Sequence, residues 1–455
     1  MAKLKFLGGA GTVSGSCYVL EAAGKKIMID CGSFQGPPEL ERKNSEPFDF
    51  ETDQIDYLLL THCHLDHIGR LPILVKQGFD GKIYATPPTI DFVELMLEDS
   101  RRVLEAKARK DASLIFYHEP DVRRIMALFE SATYHQKVQL SENIYFEFFE
   151  AGHILGAVII RIVFDEGSGE RTIVFSGDLG QDKNCILRSP ETIDRADYVL
   201  IESAYGDRLH ETQRETKDQV EDAIEETISR GGVLMIPTFA IERAQQLLSH
   251  LNELVENKRI GSLKIFIDSP LAIKATQIYE KYMEFFNKET CALIKSGDDI
   301  FKFNNLEFTP TIKDSKRIND SPPPKIIIAG SGMSEGGRII HHEARYLPDS
   351  KNTLLFVSYQ AEGTLGRKIL DGEKEVEILD QKIKVRAQIK SISGYSAHAD
   401  KKELISWLGA IRKPIKMVFV VQGEKVPAET LAQTVRDEMG VDAKVPELGQ
   451  EVELQ

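Results

Sequence analysis

At 455 residues the chain is too long for one simple core, so two domains are expected. Its 42% hydrophobic and 28% charged residues read as an ordinary soluble globular protein, and no apolar run reaches the ~18 residues of a membrane span. Five scattered cysteines (Cys17, Cys31, Cys63, Cys185, Cys291) with no CxxC pair exclude a disulfide framework and a thiolate zinc site. The net charge of −14 argues weakly against nucleic acid, which such a protein could bind only through a local basic groove. The opening 32 residues read as short strands around a Gly-rich turn and not as a signal peptide, so a cytoplasmic location is expected.

Strands are predicted over 4–7, 17–21, 26–29 and 57–60, then a long helix over 90–110. Further strands follow over 145–149, 158–164, 172–176 and 198–202. From about residue 205 the rhythm becomes strand–helix alternation. Helices over 215–229, 241–257 and 271–286 are interleaved with strands over 233–237, 263–268, 325–329 and 353–358. Such alternation implies βαβ units and a mostly parallel sheet. Short β runs return at 376–379 and 382–391, followed by a helix over 401–410 and a strand over 417–421. The middle therefore reads as a domain inserted into the first, with boundaries at 1–204, 205–370 and 371–455. Residues 298–324, with Pro322, Pro323 and Pro324, are the least regular stretch and are expected to loop over the surface.

The most specific feature is Thr61-His62-Cys63-His64-Leu65-Asp66-His67, directly after an apolar strand. In extended backbone His62 and His64 point to one side. Three imidazoles and a carboxylate within six residues are the donor set that zinc prefers. Only 11 residues of the chain are His, so a chance cluster in a polar loop is improbable. One loop cannot complete two sites, and the candidates at other strand ends are His153 in Gly152-His153 and Asp178 in Ser176-Gly177-Asp178. Read alone, each is ordinary turn chemistry.

These motifs, with Asp30 at the end of strand 26–29, resemble the metallo-β-lactamase superfamily. The resemblance implies an α/β fold, an αββα sandwich with a two-metal edge site. By it His62, His64 and His153 would hold one zinc. Asp66 and His67 would hold a second with Asp178 bridging, and Asp30 would orient the metal loop. The inserted segment resembles the parallel α/β domain of the β-CASP nucleases. It carries Glu202-Ser203-Ala204-Tyr205-Gly206, Asp268-Ser269-Pro270-Leu271-Ala272 and Gly330-Ser331-Gly332-Met333, and Ser396-Ala397-His398-Ala399-Asp400 follows it. The match is to the bacterial and archaeal RNases of that family, relatives of the mRNA 3′-end cleavage subunit.

The resemblance implies that Glu202 orients His398, the proton donor to the leaving oxygen; a His held by a carboxylate suits that task near neutral pH. Asp66 would share in catalysis. Ser331, Gly332, Arg338, Arg367 and Ser396 would line the substrate path, with Arg208 beside it. One position departs from the pattern: where the family has Val-His-Gly-Glu, this chain has Val421-Gln422-Gly423-Glu424. Gln is poorer for zinc than imidazole. Either the enzyme works with a loosely held second zinc, or the chain is a catalytically impaired RNA-binding homologue.

The expected function is two-metal hydrolysis of single-stranded RNA lying in the cleft between the domains. A glyoxalase II-type hydrolase would share the metal loop but would not need the insertion. A DNA-directed nuclease is the third rival. Endo- and exonuclease modes stay open, and a homodimer is compatible with the reading.

Overall fold

The computed structural model describes residues 1–111, 115–211, 213–261, 263–412 and 414–455. It divides into two compact units, one of Met1–Leu209 with His398–Gln455 and one of His210–Ala397. The second unit therefore runs past residue 370, where the sequence rhythm places its end. The reason is strand pairing: Gln388–Ser391 adds in parallel to Thr353–Phe356, after a hairpin of Glu375–Ile378 and Gln381–Lys384.

In the first unit the described residues form two seven-stranded sheets. Leu4, Phe6, Leu20, Ile27, Ile29 and Leu59 of one sheet share a core with Phe146, Phe148, Ile160, Ile162, Phe175, Leu200 and Phe419 of the other. Every second residue points inward, so two alternating faces close on each other, each large side chain contributing about 1.5–3 kcal/mol by its burial. Helices Leu71–Lys76, Pro87–Asp111 and Glu119–Met126 pack together on the first sheet's side, and Lys425–Thr434 lies against strand Met417–Val421 of the second.

Each sheet has a parallel half. Lys25–Ile29, Tyr57–Leu59, Lys82–Ala85 and Phe129–Ser131 run parallel in one. Glu170–Phe175, Tyr198–Glu202 and Met417–Val421 run parallel in the other. Parallel neighbours present their carboxyl ends together, where open α/β sheets bind ligands. Asp30, His62, Asp178, Glu202 and Gln422 all lie at or just beyond these ends.

The second unit is built on a six-stranded sheet, Leu306–Phe308, Lys264–Ile267, Lys325–Ala329, Val233–Pro237, Thr353–Phe356 and Gln388–Ser391 in spatial order, parallel throughout. The stretch 298–324 is more regular than the sequence suggests. It supplies the edge strand Leu306–Phe308 and the helix Ile312–Arg317, the latter opened by a capping box between Thr311 and Asp314. A three-residue strand and a six-residue helix are too short to show a hydrophobic period.

Asp268, fully buried after Lys264–Ile267, organises this unit. It accepts hydrogen bonds from Thr309 Oγ1 (2.7 Å), Ser315 Oγ (2.6 Å), Arg338 Nη1 (2.7 Å) and His342 Nε2 (2.7 Å). Burial works to raise its carboxyl, but His342, Ser315, Thr309 and Arg338 outweigh it and bring it down to about 2. Replacement by Ala leaves the buried His342 and the partly buried Arg338 without their carboxylate, so Asp268→Ala is expected to cost about 3–5 kcal/mol in urea denaturation. Because the folded carboxyl is depressed, the wild-type advantage holds above pH ~4 and fades as pH falls toward about 2. An advantage unchanged by acid would refute this assignment.

Candidate metal centre

Strand Tyr57–Leu59 runs buried into Leu60, Thr61 and His62. His64 then precedes a one-turn helix, Leu65–Ile68, that carries Asp66 and His67. Backbone N–H groups of Ser16, Cys31 and Ser33 donate to the carbonyls of Asp66 (2.8 Å), His67 (2.8 Å) and Leu65 (2.8 Å). The approach is so close that a Cβ on Gly32 would lie 1.5 Å from the Asp66 carbonyl oxygen, so only glycine fits. The loop is tied down by Asp30, a buried non-glycine residue at φ 57°. Its Oδ1 accepts from Thr61 N (2.8 Å), and its Oδ2 from Thr61 Oγ1 (2.8 Å), Ser16 Oγ (3.1 Å) and His67 Nδ1 (2.7 Å).

His153 and Asp178 come from two loops of the other sheet. A Cβ on Gly180 would fall 1.9 Å from the Gly152 carbonyl oxygen, so these loops also meet backbone to backbone. Glu150, buried and pushed up to about 8 by its burial, accepts from Gly152 N (2.9 Å) and steadies the turn before His153. The ligand atoms of His62, His64, His153 and Asp178 all lie within 4.8 Å of one another. His62 Nε2 and His153 Nε2 are 3.1 and 3.2 Å from His64 Nδ1, and 3.5 and 3.6 Å from Asp178 Oδ2. A tetrahedral zinc with bonds of ~2.0–2.1 Å holds its ligand atoms about 3.3 Å apart. The observed edges bracket that value, so these four residues fit a zinc ion.

The charge states agree. Burial, reinforced by neighbouring imidazoles, holds His62 well below its usual value, and burial with His398 does the same for His153; both are neutral imidazoles, the form a metal would need. Burial works to raise Asp178, but His67, His398 and His153 outweigh it and keep the carboxylate ionised. His67 is the opposite case: burial works to lower it, yet Asp178 and Asp30 outweigh burial and hold it well above its usual value. Two carboxylates thus call for positive polarity at this ring, from a proton, a cation or a hydrogen-bond donor.

Beside this set stands a second pair. His398 Nδ1 is 3.0 Å from Glu202 Oε2, and 3.9 Å from Asp178 Oδ2. Glu202 is fully buried, its Oε1 accepting from Leu179 N (2.6 Å), and burial raises its carboxyl despite the neighbouring His398. The His398 backbone is set by Ala399 N donating to Leu179 O (2.7 Å) and by Asp400, the N-cap of helix Lys401–Gly409. Tyr205 lies with its ring 5.9 Å from that of His398.

The second set expected from the sequence is looser. Asp66 Oδ2 stands 3.8 Å from His67 Nε2, and neither residue belongs to the groups of mutually close metal donors among the described residues. Gln422 is buried with its amide against His67 and Asp178. The remaining candidates lie in the second unit. Ser331 Oγ accepts from Glu335 N (3.0 Å), and the Gly332 carbonyl accepts from Gln360 Nε2 (2.9 Å), so this loop is closed by its own contacts. Arg338 bonds Asp268 and the carbonyls of Thr309 (2.5 Å) and Pro310 (3.0 Å), a structural engagement. Arg367 is exposed and paired with Asp371, and Ser396 is buried. Sequence reading missed Ser16, Thr61, Glu150 and Tyr205. Thr61, a hydroxyl next to His62, and Tyr205, inside the Glu202–Gly206 motif, carried a local signal; Ser16 and Glu150 carried none.

Three family models match: the metallo-beta-lactamase superfamily over residues 10–231, the Beta-Casp domain over 244–369, and the Zn-dependent metallo-hydrolase RNA specificity domain over 382–446. A ribonuclease of Thermus thermophilus is 38% identical, with 92% of each chain covered. The chain belongs to the β-CASP branch of the metallo-β-lactamase superfamily. An RNase J-like protein of Methanocaldococcus jannaschii is 31% identical, with 99% of each chain covered. The transcription termination factor FttA of Cenarchaeum symbiosum is 30% identical over 99% of this chain and 70% of its own. A crystal structure of a protein of unknown function from Enterococcus faecalis shares the fold, at 12% identity and TM-score 0.58 over 99% of each chain. The β-CASP family is one of metal-dependent hydrolases, which agrees with the donor set. Among the described residues no helix is long and apolar enough to cross a membrane.

Asp30 holds Thr61 and His67 and is not among the close donors His62, His64, His153 and Asp178, so Asp30→Ala should weaken zinc binding about 10–100-fold in chelator competition. Unaltered zinc affinity in a folded variant would show that Asp30 does not orient the centre.

Proposed function

We propose that this β-CASP protein is a zinc-dependent ribonuclease that hydrolyses phosphodiester bonds of single-stranded RNA. The observation that carries this reading is Asp178, whose one carboxylate faces both the His62, His64 and His153 set and the His398–Glu202 pair. The ribonuclease named among its relatives supports RNA as substrate. Zinc on the first set supplies Lewis acidity and a water acidified toward neutrality.

The chain's own residues do the rest. Buried neutral imidazoles at His62 and His153 present lone pairs with no proton to lose. Glu202 holds His398 through Nδ1, which leaves Nε2 to hand a proton to the leaving 3′ oxygen and leave a 5′ phosphate. Asp178, beside His398, favours the imidazolium that must donate. Ser331, Gly332, Arg367 and Ser396 are assigned to the RNA path. Five free cysteines suit a reducing cytoplasm.

A second reading, an RNA-binding homologue that has lost cleavage, is favoured by Gln422. Labelled RNA and the matching DNA, incubated with the zinc-loaded chain, decide between them. Cleavage of RNA is expected, with His398→Ala slower by roughly 10²–10⁴-fold at unchanged zinc content, and His64→Ala losing both zinc and cleavage. Tight RNA binding without cleavage by the zinc-loaded wild type would establish the second reading instead.

A further inference from the structure

We infer that this centre holds a single zinc ion, and that the side-chain amide of Gln422 stands where a second would bind. The inference rests on the zinc reading above. Gln422 follows strand Met417–Val421, in left-handed conformation at φ 47°, with its N–H donating to the Gly9 carbonyl (2.6 Å). It is buried, and its Nε2 lies 2.8 Å from His67 Nε2 and 2.9 Å from Asp178 Oδ1.

Those two atoms are the donors a second ion would need. His67 has its other nitrogen, Nδ1, against Asp30 (2.7 Å), so with the Nδ1 proton there Nε2 offers a lone pair. Asp178 Oδ1 offers another. The amide nitrogen carries two N–H groups, one for each. Turned the other way, the amide would set Oε1 at 2.9 Å from a carboxylate oxygen with no hydrogen between them.

The distances agree with direct hydrogen bonds. Two ligands of one zinc stand about 3.3 Å apart, further than either contact of this amide. Asp66 Oδ2, at 3.8 Å from His67 Nε2, is beyond hydrogen-bond distance of that ring. Asp178 therefore divides its oxygens, Oδ2 toward His62 and His153 and Oδ1 toward Gln422 (2.9 Å) and, more distantly, His67 Nε2 (3.4 Å). It would then serve one ion and one amide instead of two ions. An imidazole at position 422 would bring a lone pair where the amide brings two protons, which is why the residue type sets the metal count.

Metal content tests this without reference to activity. The full chain is loaded with excess zinc, desalted and measured by plasma mass spectrometry, beside Gln422→His treated alike. One zinc per wild-type chain and two per Gln422→His chain are the expected result. A cobalt(II) titration of the wild type should saturate at one equivalent, which decides the matter even if the variant fails to fold. Two ions per wild-type chain would overturn the inference and leave the ribonuclease reading intact. A Gln422→His chain that folds and stays at one ion would overturn the role given to Gln422. A wild type that retains no metal would overturn both.

Discussion

Asp30 is one buried carboxylate with four contacts, three of them to residues that frame the metal loop. Burying a carboxylate is tolerable only when its lone pairs are answered, and here the answers come from Thr61, His67 and Ser16. The same bonds therefore stabilise the carboxylate and fix where His62, His64 and His67 point. Gly32 and the backbone bonds of Ser16, Cys31 and Ser33 complete that clamp. Every later feature of the centre starts from a loop that is held from behind.

In front of the loop, electrostatics divides labour among residues of the same kind. His62 and His153 are neutral because burial forbids charge; His67 is pulled toward positive polarity because two carboxylates flank it. His398 is partly exposed and leans on Glu202. Identical side chains are thus held neutral, drawn toward positive polarity or paired with a carboxylate according to their surroundings. Asp178 lies within 4 Å of His62, His67, His153 and His398, which makes it the carboxylate that these rings share.

The second unit solves a similar problem differently. Its parallel sheet is covered on both faces and needs few polar supports, so its buried Asp268 gathers Thr309, Ser315, Arg338 and His342 into one network. That network claims Arg338, which sequence pattern alone sets beside substrate. An arginine beside a motif is free for a ligand only if no buried carboxylate reaches it first, and chain order does not show that.

Resemblance to the β-CASP family supplied the distant Glu202 and His398; the HxHxDH spacing, the glycine-flanked His153 and Asp178, and the switch from β-rich to alternating rhythm were legible from the sequence alone. Each is a short-range pattern: ligand types at fixed spacing, glycines at turns, and strands with an apolar period. Tertiary structure alone decided what required three-dimensional distance. Asp30 meeting Thr61, the extension of the second unit to Ala397, the short strand Leu306–Phe308 and the capture of Arg338 all depend on partners far along the chain. Gln422 shows the division most clearly. Its sequence announces a missing imidazole, but whether that leaves a weak ligand or a hydrogen-bond donor depends on where the amide lies. The fold sets it against His67 and Asp178, because parallel strands bring those loops to the same edge.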